Sequence, residues 1–228
     1  SYASELRGDY DIALKQLDQA LQHKLTRYNS SIAHQNRGVA YNSKWKFDDA
    51  IREYTEAINL NPKSTEAYLG RALAHGRKGQ SEKAIEDQSK TIQLDSNSYA
   101  AYYGRGFLFL QNNKPDRALA DFDEAVRCNP NSADPLIMRG LCYMAKNDLD
   151  HALASFDGAI LVDPKSAMAY MQRAQLYLHN GEREKGDRDR DHARSLNSNI
   201  EQASNDLASS LSEKLWAWTN STGTTRAA

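Results

Sequence analysis

Apolar and small residues run along this chain as short stripes at helical spacing, arranged in pairs. Within 99–132, Tyr102, Gly106 and Phe109 share one stripe, and Ala118, Phe122, Ala125 and Val126 share another. Apolar positions three and four residues apart predict amphipathic helices, and Asn113-Lys114-Pro115 between the stripes predicts a turn. The unit is therefore helix, turn, helix, closed by Pro130.

Shifting the sequence by 34 residues brings five arginines into register, Arg37, Arg71, Arg105, Arg139 and Arg173, each followed by Gly or Ala. The same shift aligns Ala50, Ala84, Ala118, Ala152 and Gly186, then Ala57, Thr91, Ala125, Ala159 and Ala193, and prolines recur at Pro62, Pro130 and Pro164. A fixed period of this length is the signature of stacked repeats. Small residues are expected where two helices cross closely, with Tyr102, Phe109 or Phe122 filling the gaps beside them. The aromatic, Leu-Gly, Tyr, Ala, Phe, Ala, Pro pattern resembles the tetratricopeptide repeat (TPR), most of all bacterial TPR proteins, some of them exported. That resemblance implies an all-α, right-handed α-solenoid of helix-turn-helix repeats with a C-terminal capping helix.

Five repeats are expected at 31–64, 65–98, 99–132, 133–166 and 167–200, the last with a divergent second helix carrying Gly186 and Arg190. Residues 1–30 read as the second helix of an earlier, partial repeat plus a linker. Residues 201–218 read as the capping helix, because Leu207, Leu211 and Leu215 make one stripe and a solenoid end must cover its apolar face. Trp216 and Trp218 lie off that stripe; they either extend the cap or dock in a groove. The tail 219–228, rich in Ser, Thr, Gly and Ala, is expected to be disordered.

The chain has 228 residues, 40% of them apolar, and 29 Lys+Arg offset 30 Asp+Glu. Such a balance lacks the basic excess of nucleic-acid binders, and no run approaches the ~20 apolar residues of a membrane span. Two cysteines, Cys128 and Cys142, make no disulfide framework and lie on apolar stripes, as buried thiols do. Because Ser1 rather than Met begins the sequence, it reads as a processed chain, and the compartment stays open between cytoplasm and export. No two of the six histidines stand four apart, so the helical zinc motif is absent. Asp187, Asp189 and Asp191 resemble the start of a calcium loop, but His192 and Ser198 replace the turn glycine and the bidentate glutamate. No catalytic centre, cofactor or metal is expected.

Sixteen residues after four of the five arginines stands an acid: Glu53, Asp87, Asp121 and Asp189, with Ser155 the exception. The arginines are read as a structural ladder paired to these carboxylates, the other reading being an anion-binding stripe. In the family the first helices line a concave groove. Projected onto that resemblance, the groove carries Leu69, Leu73, Tyr103, Phe107, Leu110, Ile137, Met138, Leu141, Met144, Met168 and Met171, with Gln35, Val39 and Leu178 beside them. A surface this apolar marks an interaction site. Micromolar binding needs about 8.2 kcal/mol, within reach of five or six anchors at ~1.5–3 kcal/mol each. The expected function is a protein-interaction module that takes a hydrophobic peptide or helix. The alternatives are a scaffold that forms homo-oligomers through its repeat edges or C-terminal segment, and the regulatory arm of a larger protein. An acidic chaperone tail is not the expected ligand. Asn36 matches the clamp branch of the family, but the next first helix offers Glu66 and Gly70 where cations are required.

Overall fold

The computed structural model describes residues 2–23 and 25–211, with side chains from Tyr10 onward, and the described residues form helices and no strands. The chain divides into two compact units, residues 1–101 and 102–228. The first unit holds α1 (Tyr2–Gln22), α2 (Arg27–Ser43), α3 (Phe47–Leu60), α4 (Thr65–Arg77), α5 (Ser81–Leu94) and the first residues of α6 (Tyr99–Gln111). The second unit holds the rest of α6, then α7 (Pro115–Cys128), α8 (Asp134–Ala145), α9 (Leu149–Val162), α10 (Ala167–His179), α11 (Arg183–Leu196) and α12 (Ile200–Ser210). Each unit is an all-α stack of antiparallel helix pairs. Residues Leu215, Trp216 and Trp218 and the tail 219–228 lie outside the described residues.

Helix starts follow the sequence chemistry. Ser64, Ser166 and Thr26 accept from the backbone N–H three residues on, capping α4, α10 and α2. Pro115 and Pro135 occupy first-turn positions of α7 and α8, where a missing N–H costs nothing. One local difference concerns α1, which runs straight through Gly8-Asp9, a pair that the repeat register puts at a turn. A single helical glycine costs only ~1 kcal/mol relative to Ala.

The turn between paired helices contains one residue with positive φ in every repeat: Trp45, Gly79, Asn113, Asn147 and Gly181, each 34 residues from the next. Glycine and asparagine adopt this left-handed conformation at little cost, and tryptophan only under strain. Trp45 adopts it at φ 61 and stays 69% exposed, with its ring tilted 5.9 Å from that of Phe47 and the Arg77 guanidinium over it.

The core is built where an aromatic side chain from a second helix enters the space left by small residues on first helices. In the first unit Tyr54 does this, and a Cβ on Gly38 or Gly70 would lie 2.7 or 2.3 Å from its ring. Burial pushes the Tyr54 hydroxyl up to about 12, partly opposed by its hydrogen bond from Asn42. In the second unit Phe122 and Phe156 are fully buried, and a Cβ on Gly140 would lie 2.4 Å from Phe156. Two repeats break the aromatic column with Gln88 and Arg190. Both leave a buried polar atom, Gln88 Oε1 and Arg190 Nε, without a hydrogen-bond partner. Consistent with the divergence of its sequence, α11 buries only Gly186 and Ala193.

Candidate interaction face

Each first helix presents one edge to its partner helix and another to the outside, and the 34-residue register gives the equivalent residues. The arginines lie between these edges and reach two second helices. Arg71 donates from Nε and Nη2 to the two oxygens of Asp87, at 2.9 and 2.7 Å, and from Nη1 to Thr55 Oγ1 at 3.1 Å. Thr55 belongs to the preceding repeat and Asp87 to the same repeat, so one guanidinium ties three helices. Arg105 grips Asp121 with the same fork, at 2.9 and 2.7 Å. Arg173 grips Asp189 at 2.7 and 3.0 Å and reaches back to Asp157 at 2.7 Å. Arg37 meets Glu53 and Asp18, both at 3.3 Å. Arg139 finds only the Ser155 hydroxyl ahead, at 3.2 Å, and the exposed Asp123 behind, at 3.1 Å.

The carboxylates Asp87 and Asp121 are buried, while their arginines keep about a fifth of their side-chain surface. Hydrogen bonds to Asp87, Asp121 and Asp189 respectively, set against partial burial, push Arg71, Arg105 and Arg173 above the ordinary guanidinium range. Tyr68, Tyr102 and Tyr170 lie under the same three guanidinium groups at 5.7, 5.9 and 5.5 Å. Glu53 also takes His34 Nδ1 at 2.8 Å, a partner that the arginine spacing does not announce. A further series of exposed pairs, Lys44–Asp11, Lys78–Asp48 and Lys146–Asp116, links the turns to preceding second helices.

The outward edge differs between the two units. In the first unit Val39 is 48% and Leu73 53% exposed, while Gln35 and Leu69 are half-buried. In the second unit the equivalent Leu141 is 2% exposed, and Leu110, Ile137, Met138, Met144 and Met171 are equally buried. Tyr103, Phe107, Met168 and Leu178 are half-buried, and Tyr103 sets its ring against Phe122 edge to face at 5.8 Å. An open groove centred on Ile137 and Leu141 is therefore not what the structure contains: these side chains are out of solvent, and so are Leu110, Met138, Met144 and Met171.

Part of this edge, on α10, is met by α12. Its Ile200 packs with Met171 and Ala193. Beyond that α12 lies more on α10 than on α11, whereas α4, α8 and α10 touch the second helix before them more than the first helix before that. Ser204 of α12 receives hydrogen bonds from Gln172 and Gln175 on α10, at 2.9 and 3.1 Å. Gln175 is the register equivalent of Leu141. At the other end of α12, the Ser210 carbonyl accepts from Gln111 of α6 at 2.7 Å, across 99 residues of sequence. Ten residue steps at 1.5 Å from Ile200 to Ser210 make α12 about 15 Å long.

In the first unit, by contrast, an open cleft of 550 Å³ lies between α1 and α2, lined by Tyr10, Ala13, Leu17, Ala20, Val39 and Ala40 together with Gln16 and Asn36. Cys142 is buried, which pushes its thiol far above the ordinary range, and Cys128 is half-buried. Among the described residues no cluster of His, Cys, Asp and Glu is placed to hold a metal, and no helix is long and apolar enough to cross a membrane.

Paired antiparallel helices in a fixed 34-residue register, with small residues at the crossings and an arginine bracing three helices, define a helical repeat protein of the interaction-module class. Family models described as "TPR repeat" and "Tetratricopeptide repeat" match residues 38–79, 65–98, 99–132 and 137–185. The chain belongs to the tetratricopeptide-repeat proteins. Among solved structures, it is similar to a crystal structure of MamA, with 25% identity over 72% of this chain and 96% of that one, at TM-score 0.65. It is also similar to YrrB, described as a TPR protein with an unusual peptide-binding site, with 22% identity over 82% and 95% of the two chains, at TM-score 0.64. A MamA fragment from Desulfovibrio magneticus RS-1 shares the fold, with 16% identity, coverage of 78% and 98%, and TM-score 0.67. A comparison with curated proteins finds no match.

Proposed function

We propose that this protein binds an apolar peptide or helix on the outward edge of the first helices in its first unit, where Val39 and Leu73 are the anchors and Leu69 lies beside them. One observation carries the reading: the same repeat position that is buried at Leu141 is about half exposed at Val39 and Leu73. Beside Val39, the 550 Å³ cleft offers further apolar lining. Apolar side chains held out in register are what a helix-in-groove ligand reads. The peptide-binding site in the description of YrrB is in keeping with this use of the fold. We infer that the arginines serve the stack rather than a ligand, since Arg71, Arg105 and Arg173 spend their forks on the chain's own carboxylates.

The test is affinity capture from the native host with Val39→Asp/Leu73→Asp beside wild type and a Leu161→Asp control, Leu161 being 83% exposed on a second helix. Specific loss of a captured protein with the first variant supports the reading. Equal loss with the control, or no loss, removes it. Light scattering on the same samples tells self-assembly from capture of another protein.

A further inference from the structure

In the second unit the chain's own α12 sits on the α10 part of the outward edge, and its fit there is incomplete at one place. Gln172 and Gln175 are 1% and 8% exposed, and both aim their side-chain amides at the single hydroxyl of Ser204. Gln172 finds one more contact, the Met168 sulfur at 3.4 Å. The carbonyl oxygens Oε1 of both glutamines are buried without a hydrogen-bond partner. The mismatch does not depend on which way either amide is turned: one hydroxyl brings one donor, and two amides bring two acceptors and four N–H groups. A buried acceptor left without a donor weakens whatever contact buries it.

We propose that this edge is a docking site for an amphipathic partner helix that displaces α12, and that carries small and Leu-type residues at four-residue spacing around a central Asn or Gln. The resident helix supplies the template. Ile200, Ser204, Ala208 and Leu211 are its buried positions, three or four residues apart, so the ligand lies across the first helices as α12 does. An Asn or Gln in place of Ser204 brings two N–H donors and a carbonyl acceptor to the two waiting amides. Such a ligand satisfies groups that α12 leaves unmatched, and discrimination by buried polar groups is steep. The displacement does not depend on the first-unit reading and involves none of its residues.

The probe is a fluorescent peptide copying residues 198–212, in its own sequence and with Ser204→Asn, titrated into the full chain. Because a tethered helix competes at an effective concentration of order millimolar, the acceptor is the full chain carrying Ala208→Asp, which puts a charge on the contact edge of α12 and loosens it. Against this acceptor the Asn peptide is expected to bind at least about tenfold tighter than the native-sequence peptide, a 1.4 kcal/mol difference. That advantage should vanish when Gln172→Leu and Gln175→Leu are added, and wild type should bind both peptides more weakly than Ala208→Asp does. Where circular dichroism finds Ala208→Asp unfolded, Leu211→Asp takes its place. Hydrogen exchange on the unaltered chain supplies the second measurement, with α12 amides expected to exchange at least about tenfold faster than those of α8 and α10, as a separately opening element does. Equal binding of the two peptides overturns the proposal in favour of exchange of α12 between copies of the chain. Absence of saturable binding, or α12 protection equal to that of α10, overturns it in favour of a permanent cap.

Discussion

The two units are made of the same repeat in the same register, yet they treat the same position in opposite ways. Val39 and Leu73 stand half in solvent, whereas Leu141 is 2% exposed and the polar Gln175 8%. Residue type does not separate them, since Val39, Leu73 and Leu141 are all aliphatic. The surroundings differ as well: in the second unit α12 meets the edge at Gln175 and reaches Gln111, and in the first the described residues leave Val39 beside an open cleft. An apolar outward edge is thus a property of the repeat, and whether it is a core or a surface depends on where the chain goes next.

The sharpest way to break this comparison is to put a charge at both places. Leu141→Asp buries an unpaired carboxylate and is expected to cost more than about 4 kcal/mol, beyond the ordinary range for point mutants. Leu73→Asp is expected to stay within ~0.5 kcal/mol, like other surface changes. Urea denaturation of the two variants checks this, and equal losses would mean that the edges do not differ.

A second contrast lies within the arginine ladder. Arg105→Ala strands the buried Asp121 carboxylate and should cost about 3 kcal/mol, the lower end for breaking a buried pair, because the guanidinium itself is partly exposed. Arg139→Ala loses a hydroxyl contact and the pair with Asp123, which is 56% exposed, and should cost ~0–1 kcal/mol. Thermal melts with peptide binding measured in parallel separate this from an anion-binding stripe, for which Arg105→Ala would keep stability and lose ligand.

The smallest effect concerns the turn of the first full repeat. Trp45→Gly relieves the left-handed strain that the other four repeats avoid, and a gain of about 1 kcal/mol is expected. A loss instead would show that the contacts of the ring with Phe47 and Arg77 outweigh the strain.

Much of this was legible in the residues. The 34-residue register, the turn positions, the small residues beside Tyr54 and Phe156, and the sixteen-residue step from Arg71 to Asp87 are all local or periodic, and a repeat repeats its contacts along with its sequence. The backward reach of Arg71 to Thr55 and of Arg173 to Asp157 was present at the same sixteen-residue spacing, but reading it requires knowing that a first helix touches the second helix before it. Gln172, Gln175 and Ser204 gave one signal, glutamine in a column otherwise filled by Val39, Leu73, Phe107 and Leu141. Nothing in that column names Ser204 as the partner.

The helices, their pairing and the apolar character of the outward edge were already written in the residues, because each follows from spacings shorter than two repeats. Which part of that edge is out of solvent emerged with the folded stack. The hydrogen bond from Gln111 to Ser210 spans 99 residues, and no periodicity encodes a helix that leaves the register to lie across the repeats before it. Its position is set by shape and by the polar groups at its contact, which exist only once the stack has formed.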